Sequence, residues 1–145
     1  MTDNIIINKQ WQDNEVILIK IKCYTSIITA ETEVYVVDYL IDDLIYQIEQ
    51  FLDGKVEESF WESGERGDFS TTCASLRFLH KDRAGHVLIE VFMELDDGGK
   101  YSEHNCCFYI NTEIGLLTTF CKKLPRLKHE YPECRLQLFH DIENF

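Results

Sequence analysis

A segment in the middle of the chain with an apolar residue at every second position constrains the fold most. Apolar residues occupy every odd position from Val87 to Leu95, and the polar residues of the segment fall between them. A period of two over this length predicts a β-strand with one face in the core. Lys81–Gly85 and Asp96–Lys100 flank the strand, and both contain the Asp and Gly that tight reversals favour. The sequence therefore predicts an antiparallel meander of three strands between Leu76 and Ile110.

The other elements also follow from periodicity: alternation predicts the strands, and apolar residues at spacings of three and four predict the helices. Strands are predicted at Ile5–Ile7, Val16–Cys23, Ile27–Val37 and Cys134–Phe139, and helices at residues 39–53 and 112–124. Asp38 is placed to cap the first helix, and Gly54 to end it in a left-handed conformation. Strands and helices in this mixed order, without strict alternation, predict the α+β class.

The length of the chain suits one hydrophobic core. It has 145 residues, and no linker rich in Pro, Gly or Ser divides it. We expect a single α+β domain over residues 1–145, with a twisted antiparallel sheet of six or seven strands and two helices. The expected core is Ile19, Ile21, Val36, Leu44, Ile48, Leu76, Phe78, Val87, Ile89, Val91, Phe108, Ile110, Leu117 and Leu138.

Negative charge is concentrated in one quarter of the chain. The formal net charge is -12, and between Glu31 and Asp68 twelve acids stand against Lys55 and Arg66. A field of this sign repels nucleic-acid phosphates and anionic lipid surfaces and attracts basic proteins. The composition therefore argues against nucleic-acid and membrane partners and favours a basic protein partner.

Cysteine usage and the amino terminus indicate the cytoplasm. The sequence has six cysteines, no apolar run of membrane-spanning length and no signal-peptide pattern at Met1–Asn4. Most cysteines fall within apolar patterns, so we expect reduced, buried thiols rather than a disulfide framework.

The segment after the first helix combines acids with aromatic residues. Residues 57–68 have no period and contain Gly64 and Gly67, so an exposed loop is expected. Carboxylates around Phe60 and Trp61 give the charged rim and aromatic anchor typical of protein interfaces. The predicted partner-binding surface consists of Asp42, Asp43, Glu57, Glu58, Phe60, Trp61, Glu62, Glu65 and Asp68.

Histidines flank the turn before the central strand. A simple hairpin register would place His80 beside His86, where two imidazoles could hold a metal, and His104 shares a strand face with Cys106. No Cys-x-x-Cys pair, nucleophile elbow or phosphate-binding loop is present in the sequence. We predict no catalytic residue, metal ligand or cofactor. Two alternatives stay open: a small-molecule enzyme or metal-binding protein that uses the His80/His86 hairpin, and a homo-oligomeric scaffold that pairs an edge strand.

Several turn and core positions carry a likeness to a known family. They are Trp61 with the Gly-rich loop after the first helix, the run Asp82–Val87, and Gly115–Leu117 at the start of the second helix. With these residues the chain resembles small bacterial immunity proteins, in particular Wap-type immunity proteins and related uncharacterised families encoded beside polymorphic toxins. The resemblance implies a non-enzymatic protein that binds and blocks a cognate toxin. Such toxins are often basic nucleases, which agrees with the net charge of -12.

Overall fold

The computed structural model describes residues 2–68, 71–96, 103–130 and 133–139. The elements in chain order are β1 Asn4–Gln12, β2 Ile17–Tyr24, β3 Thr29–Val36, α1 Asp38–Leu52, β4 Glu58–Ser63, β5 Ala74–His80, β6 His86–Leu95, β7 His104–Glu113, α2 Ile114–Lys123, α3 Arg126–His129 and β8 Cys134–Gln137. The predicted α+β class is confirmed, and the two predicted helices correspond to α1 and α2. The turn predicted at Asp96–Lys100 lies outside the described residues beyond its first position.

The described strands form two antiparallel sheets of four strands each, where the sequence predicts one sheet of six or seven. The first sheet has the order β3-β2-β1-β8, and the second has the order β4-β5-β6-β7. The predicted meander is confirmed as the continuous ladder β5-β6-β7, in which Val91 lies between Leu76 and Phe108. The hairpin of β2 and β3 is also confirmed, with Ile19 opposite Val34.

One hydrophobic cluster joins the two sheets and α1. Inward side chains of β1, β2 and β3 meet those of β6 and β7, and α1 packs on β3 and β4. Every residue of the predicted core is buried. The core residues were therefore predicted correctly from the spacing of apolar residues. Side chains on the buried face of a strand recur every two residues, and those on the buried face of a helix recur every three or four.

The segment predicted as an exposed loop after the first helix contains strand β4, so this prediction is wrong. Its side chains alternate, with Ser59, Trp61 and Ser63 buried. Only 2% of the Trp61 surface is exposed, and its indole Nε1 donates a hydrogen bond of 2.8 Å to the Leu40 carbonyl. Two of the three inward positions are serines, so hydrophobicity shows no period here.

A buried glutamate fixes the connection between β4 and β5. The Glu94 carboxylate accepts hydrogen bonds from the backbone amides of Cys73 at 2.9 Å and Gly67 at 3.2 Å. At the start of this connection Gly64 has φ +79, and a Cβ there would lie 2.5 Å from the Thr72 carbonyl oxygen. The close approach of the two backbones therefore requires glycine at position 64.

Candidate protein-binding surface

Helix α1 forms because its apolar residues fall on one side. Its buried residues are Ile41, Leu44, Ile48 and Phe51. The helix ends as predicted: Gly54 has φ +73, and the amides of Gly54 and Lys55 donate to the carbonyls of Phe51 and Gln50 at 3.2 and 3.1 Å. These two bonds close the last turn and satisfy carbonyls that a helix end otherwise leaves free.

The start of α1 differs from the prediction. Val37 occupies the capping position, with no side-chain hydrogen bond to the first turn. Asp38 is the first helical residue instead, so the expected capping bond is wrong. Its carboxylate still lies where the helix dipole favours negative charge.

The solvent side of α1 carries tyrosines and carboxylates in one line. We call this line the acidic stripe, and it consists of Tyr39, Asp42, Tyr46, Glu49 and Asp53. The spacing of three and four residues places the first four on the same face of α1, and Asp53 follows directly at the end of the helix. Tyr39 is 72% exposed and Tyr46 is 56% exposed. These two rings are large apolar groups left in water between acids.

The carboxylates of the acidic stripe are mostly unneutralised. Asp42 accepts a hydrogen bond of 2.7 Å from the Lys128 ammonium, and this bond raises the Lys128 pKa. Glu49 and Asp53 form no salt bridge with any described residue. The stripe therefore presents exposed negative charge on the carboxyl-terminal side of Tyr46.

The structure divides the predicted partner-binding surface. Strand β4 directs Glu58, Phe60 and Glu62 to the outer face of the second sheet and Trp61 to the inner face. Because α1 packs on that inner side, Asp42 lies across β4 from them. Of the other predicted residues Glu57 and Glu65 are exposed, and Asp43 and Asp68 are half-buried. The expected acidic rim around two exposed aromatic residues is wrong, since Trp61 belongs to the core.

A row of cross-strand contacts crosses the outer face of the second sheet. Phe60, Arg77, Glu90 and Tyr109 stand opposite one another on the four strands. The Arg77 guanidinium lies 4.7 Å from the Phe60 ring centroid and 3.5 Å from a Glu90 oxygen. Tyr109 donates a hydrogen bond of 2.9 Å to Glu90, which raises the Tyr109 pKa. These four side chains therefore contact one another across the strands.

The two histidines of the predicted hairpin do not meet. The register pairs His80 with Val87, so the side chains of His80 and His86 point to opposite faces. The His80 ring stacks on Phe51 with centroids 4.2 Å apart, and His86 Nδ1 lies 2.6 Å from Asp82 Oδ2. The geometry expected for a two-histidine metal site is therefore wrong. Within the described ranges no three His, Cys, Asp or Glu side chains are grouped as a metal ion requires.

The Asp82–His86 pair lines an open cleft of about 690 Å³ with Thr112 and Lys81. The second Asp82 oxygen accepts the amides of Ala84 and His86 at 2.8 and 3.2 Å. The hydrogen bond from His86 is the main cause of a lowered Asp82 pKa. Asp82 thus holds the β5–β6 turn, a role that accounts for its contacts without a substrate.

All six cysteines are free thiols. Four of them are buried as predicted, whereas Cys106 is half-buried and Cys107 is exposed. Burial raises the pKa of Cys73 to about 12, with Glu62 and Glu94 adding to the shift, and raises the pKa of Cys121 to about 11. These thiols are protonated at neutral pH and are therefore poor nucleophiles.

Comparisons with known proteins give no match to any protein-family model, curated protein or solved structure. None of the described helices combines the length and the apolar character that crossing a bilayer requires.

Proposed function

We propose that this chain is a non-enzymatic binding protein that neutralises a basic protein toxin, in the manner of immunity proteins. The acidic stripe of α1 is the proposed contact surface. The observation that carries the proposal is the exposure of Tyr39 and Tyr46, at 72% and 56%, on the same helix face as Asp42 and Glu49. Tyrosine supplies a large contact area with two side-chain torsions to fix, and it is enriched among the residues that dominate binding energy.

Charge supports a basic partner. The chain has a net charge of -12, and the Glu31–Asp68 segment that contains α1 holds twelve acids and two bases. Negative potential over this part of the surface accelerates encounters with a positively charged protein. The resemblance to immunity proteins supports the same class of partner, since the toxins of such systems are often basic nucleases. The proposal also places the protein in the cytoplasm, where a nuclease toxin would act.

The acidic stripe explains more than a merely hydrated helix face does. Hydration accounts for Asp42, Glu49 and Asp53, but it gives no reason for two tyrosines at the same face. Four apolar residues on the opposite side of α1 pack into the core, so the tyrosines are not needed to hold the helix in place. The tyrosines are therefore available to a partner.

Coexpression tests the proposal. The partner candidate is the carboxy-terminal domain of the protein encoded next to this chain, produced from an inducible plasmid. We expect the domain to stop growth, the wild-type chain to restore it, and Tyr39→Ala with Tyr46→Ala to abolish the rescue.

Tyr35→Ala is the matched control, because Tyr35 is 57% exposed but lies on β3, outside the acidic stripe. This control should rescue growth as the wild type does. A neighbouring domain without toxicity, or rescue by the double tyrosine variant, would refute the proposal.

A further inference from the structure

Strand β7 forms one edge of the second sheet in the part of the chain that the structure describes. It pairs with β6 over ten residues without a register shift, and it is the last strand of that sheet. The Asn111 amide points away from β6, because it donates to Asp3 Oδ2 at 2.8 Å. In an antiparallel strand every second residue directs its N–H and C=O to the same side. The backbone groups of Asn105, Cys107 and Tyr109 therefore face outward, and no described residue hydrogen-bonds to those three amides.

This edge lacks the charges that protect exposed strands. The seven residues Asn105–Asn111 contain no charge, although 28% of the chain is charged. The other edge strands carry outward charges: Glu31 and Glu33 on β3, Glu58 and Glu62 on β4, and Arg135 on β8. Lysine, proline or bulges usually prevent edge-to-edge pairing, and β7 has none of them over this run.

We infer that two copies of this chain pair through β7, extending two four-stranded sheets into one continuous sheet. A second copy fits this edge better than a basic partner does, because the uncharged run has no carboxylate that could form a salt bridge with a basic side chain. Between Asn105 and Tyr109, by contrast, two copies of the strand bring no like charges together in a chain of net charge -12.

The edge favours one register of the pair. A two-fold axis at Cys107 places Cys107 opposite its own copy and Asn105 opposite Tyr109 of the second copy. An axis at Phe108 would pair Asn105 with Asn111, whose amide already donates to Asp3, and an axis at Cys106 would pair Tyr109 with Glu103, outside the uncharged run. The register centred on Cys107 uses only the outward amides and forms about six backbone hydrogen bonds. Because α1 packs on β4 at the far edge of the sheet, the acidic stripe stays open in the dimer.

Sedimentation of the full chain tests the pairing. We expect the wild type to shift from monomer to dimer over about a hundredfold range of concentration. Cys107→Pro removes an outward amide without touching the β6–β7 ladder, so it should raise the dimer dissociation constant about tenfold or more. Cys107→Ser keeps the amide and should dimerise as the wild type does.

A disulfide reports the register. Opposed residues of a hydrogen-bonded antiparallel pair have Cα atoms about 5.5 Å apart, within disulfide range. Diamide takes up the two electrons and two protons that two thiols release, so it should link the wild type through Cys107. Cys106→Ser should crosslink equally, and Cys107→Ser should not.

The inference is overturned if the wild type stays monomeric, or if Cys107→Pro dimerises unchanged. Circular dichroism shows whether the proline variant is folded. If it is not, Cys107→Lys replaces it, since two lysines face each other across the axis and should likewise weaken the dimer. A wild-type dimer that diamide crosslinks without Cys107 would overturn the register.

Discussion

The indole of Trp61 links β4 to α1 through its hydrogen bond of 2.8 Å to the Leu40 carbonyl. Trp61→Phe removes the donor and leaves a small cavity, so we expect the free energy of unfolding in urea to fall by about 1–3 kcal/mol. Partner binding by the folded variant should not change. A stable variant that binds weakly would instead show that Trp61 contacts the partner.

Gly64 and Gly67 form a matched pair in the β4–β5 connection. Both have positive φ, but a Cβ at position 64 meets the Thr72 carbonyl oxygen at 2.5 Å, whereas at position 67 nothing lies within 4 Å. Gly64→Ala should therefore cost about 2 kcal/mol or more of stability, against about 1 kcal/mol for Gly67→Ala. Equal losses in urea unfolding would contradict the close approach.

The buried thiols make stability sensitive to alkaline pH. Burial raises the pKa of Cys73 from 9.0 to about 12, so the folded state holds its proton more tightly than the unfolded state. This contribution is complete below pH 9 and is lost as pH rises from 9 towards 12. Urea unfolding should therefore show a lower free energy at about pH 11 than below pH 9, with a smaller decrease for Cys73→Ala. An equal decrease in that variant would assign the pH dependence to other groups.

At the scale of elements, helix α1 could be predicted from the local sequence. Its apolar residues at spacings of three and four predicted the helix and its Gly54 ending, and the structure confirms both. The same spacing also defines Tyr39 and Tyr46 on the opposite face. The acidic stripe could therefore have been identified from the sequence once the helix was predicted.

Strand β4 shows where local pattern fails. Its inward residues are Ser59, Trp61 and Ser63, and its outward residues include Phe60, so hydrophobicity and burial do not coincide. The strand exists because β5 pairs with it on one side and α1 covers its inner face. These tertiary contacts determine that the segment forms a strand, although its local sequence pattern is typical of a loop.

Tyr39→Ala and Tyr46→Ala test α1 as a binding element. Alanine is a good helix former, so both variants should unfold at the wild-type urea concentration. Each should weaken partner binding by on the order of 2 kcal/mol, or about thirtyfold in Kd. Tyr35→Ala should bind as the wild type does. If all three variants bound the partner equally weakly, the loss would not be specific to α1, and the acidic stripe would not be the binding surface.

At the scale of the molecule, the sequence predicted the class and the buried residues but not the division into two sheets. Each strand has a local period, but the period does not specify which strands become neighbours. The pairing of β1 with β8, for example, joins Ile7 to Leu136 near the opposite end of the chain. The expected acidic rim failed for another reason: the outward acids of β4 lie on one face of the second sheet, and α1 packs on the other face.

The central claim is that charge at the acidic stripe, rather than total charge, directs a basic partner to this protein. Glu49→Lys with Asp53→Lys reverses two stripe carboxylates that form no salt bridge with a described residue. Glu15→Lys with Glu133→Lys makes the same change in net charge at two exposed positions off α1. The two double variants therefore differ in the location of the reversed charges and not in their number.

The decisive measurement is the association rate constant with the toxic neighbouring domain, at low and high salt. We predict that the stripe variant associates about tenfold or more slowly than the wild type at low salt, that the control stays within about threefold, and that high salt removes the difference. Equal slowing of both double variants, or no slowing of the stripe variant, would contradict the account.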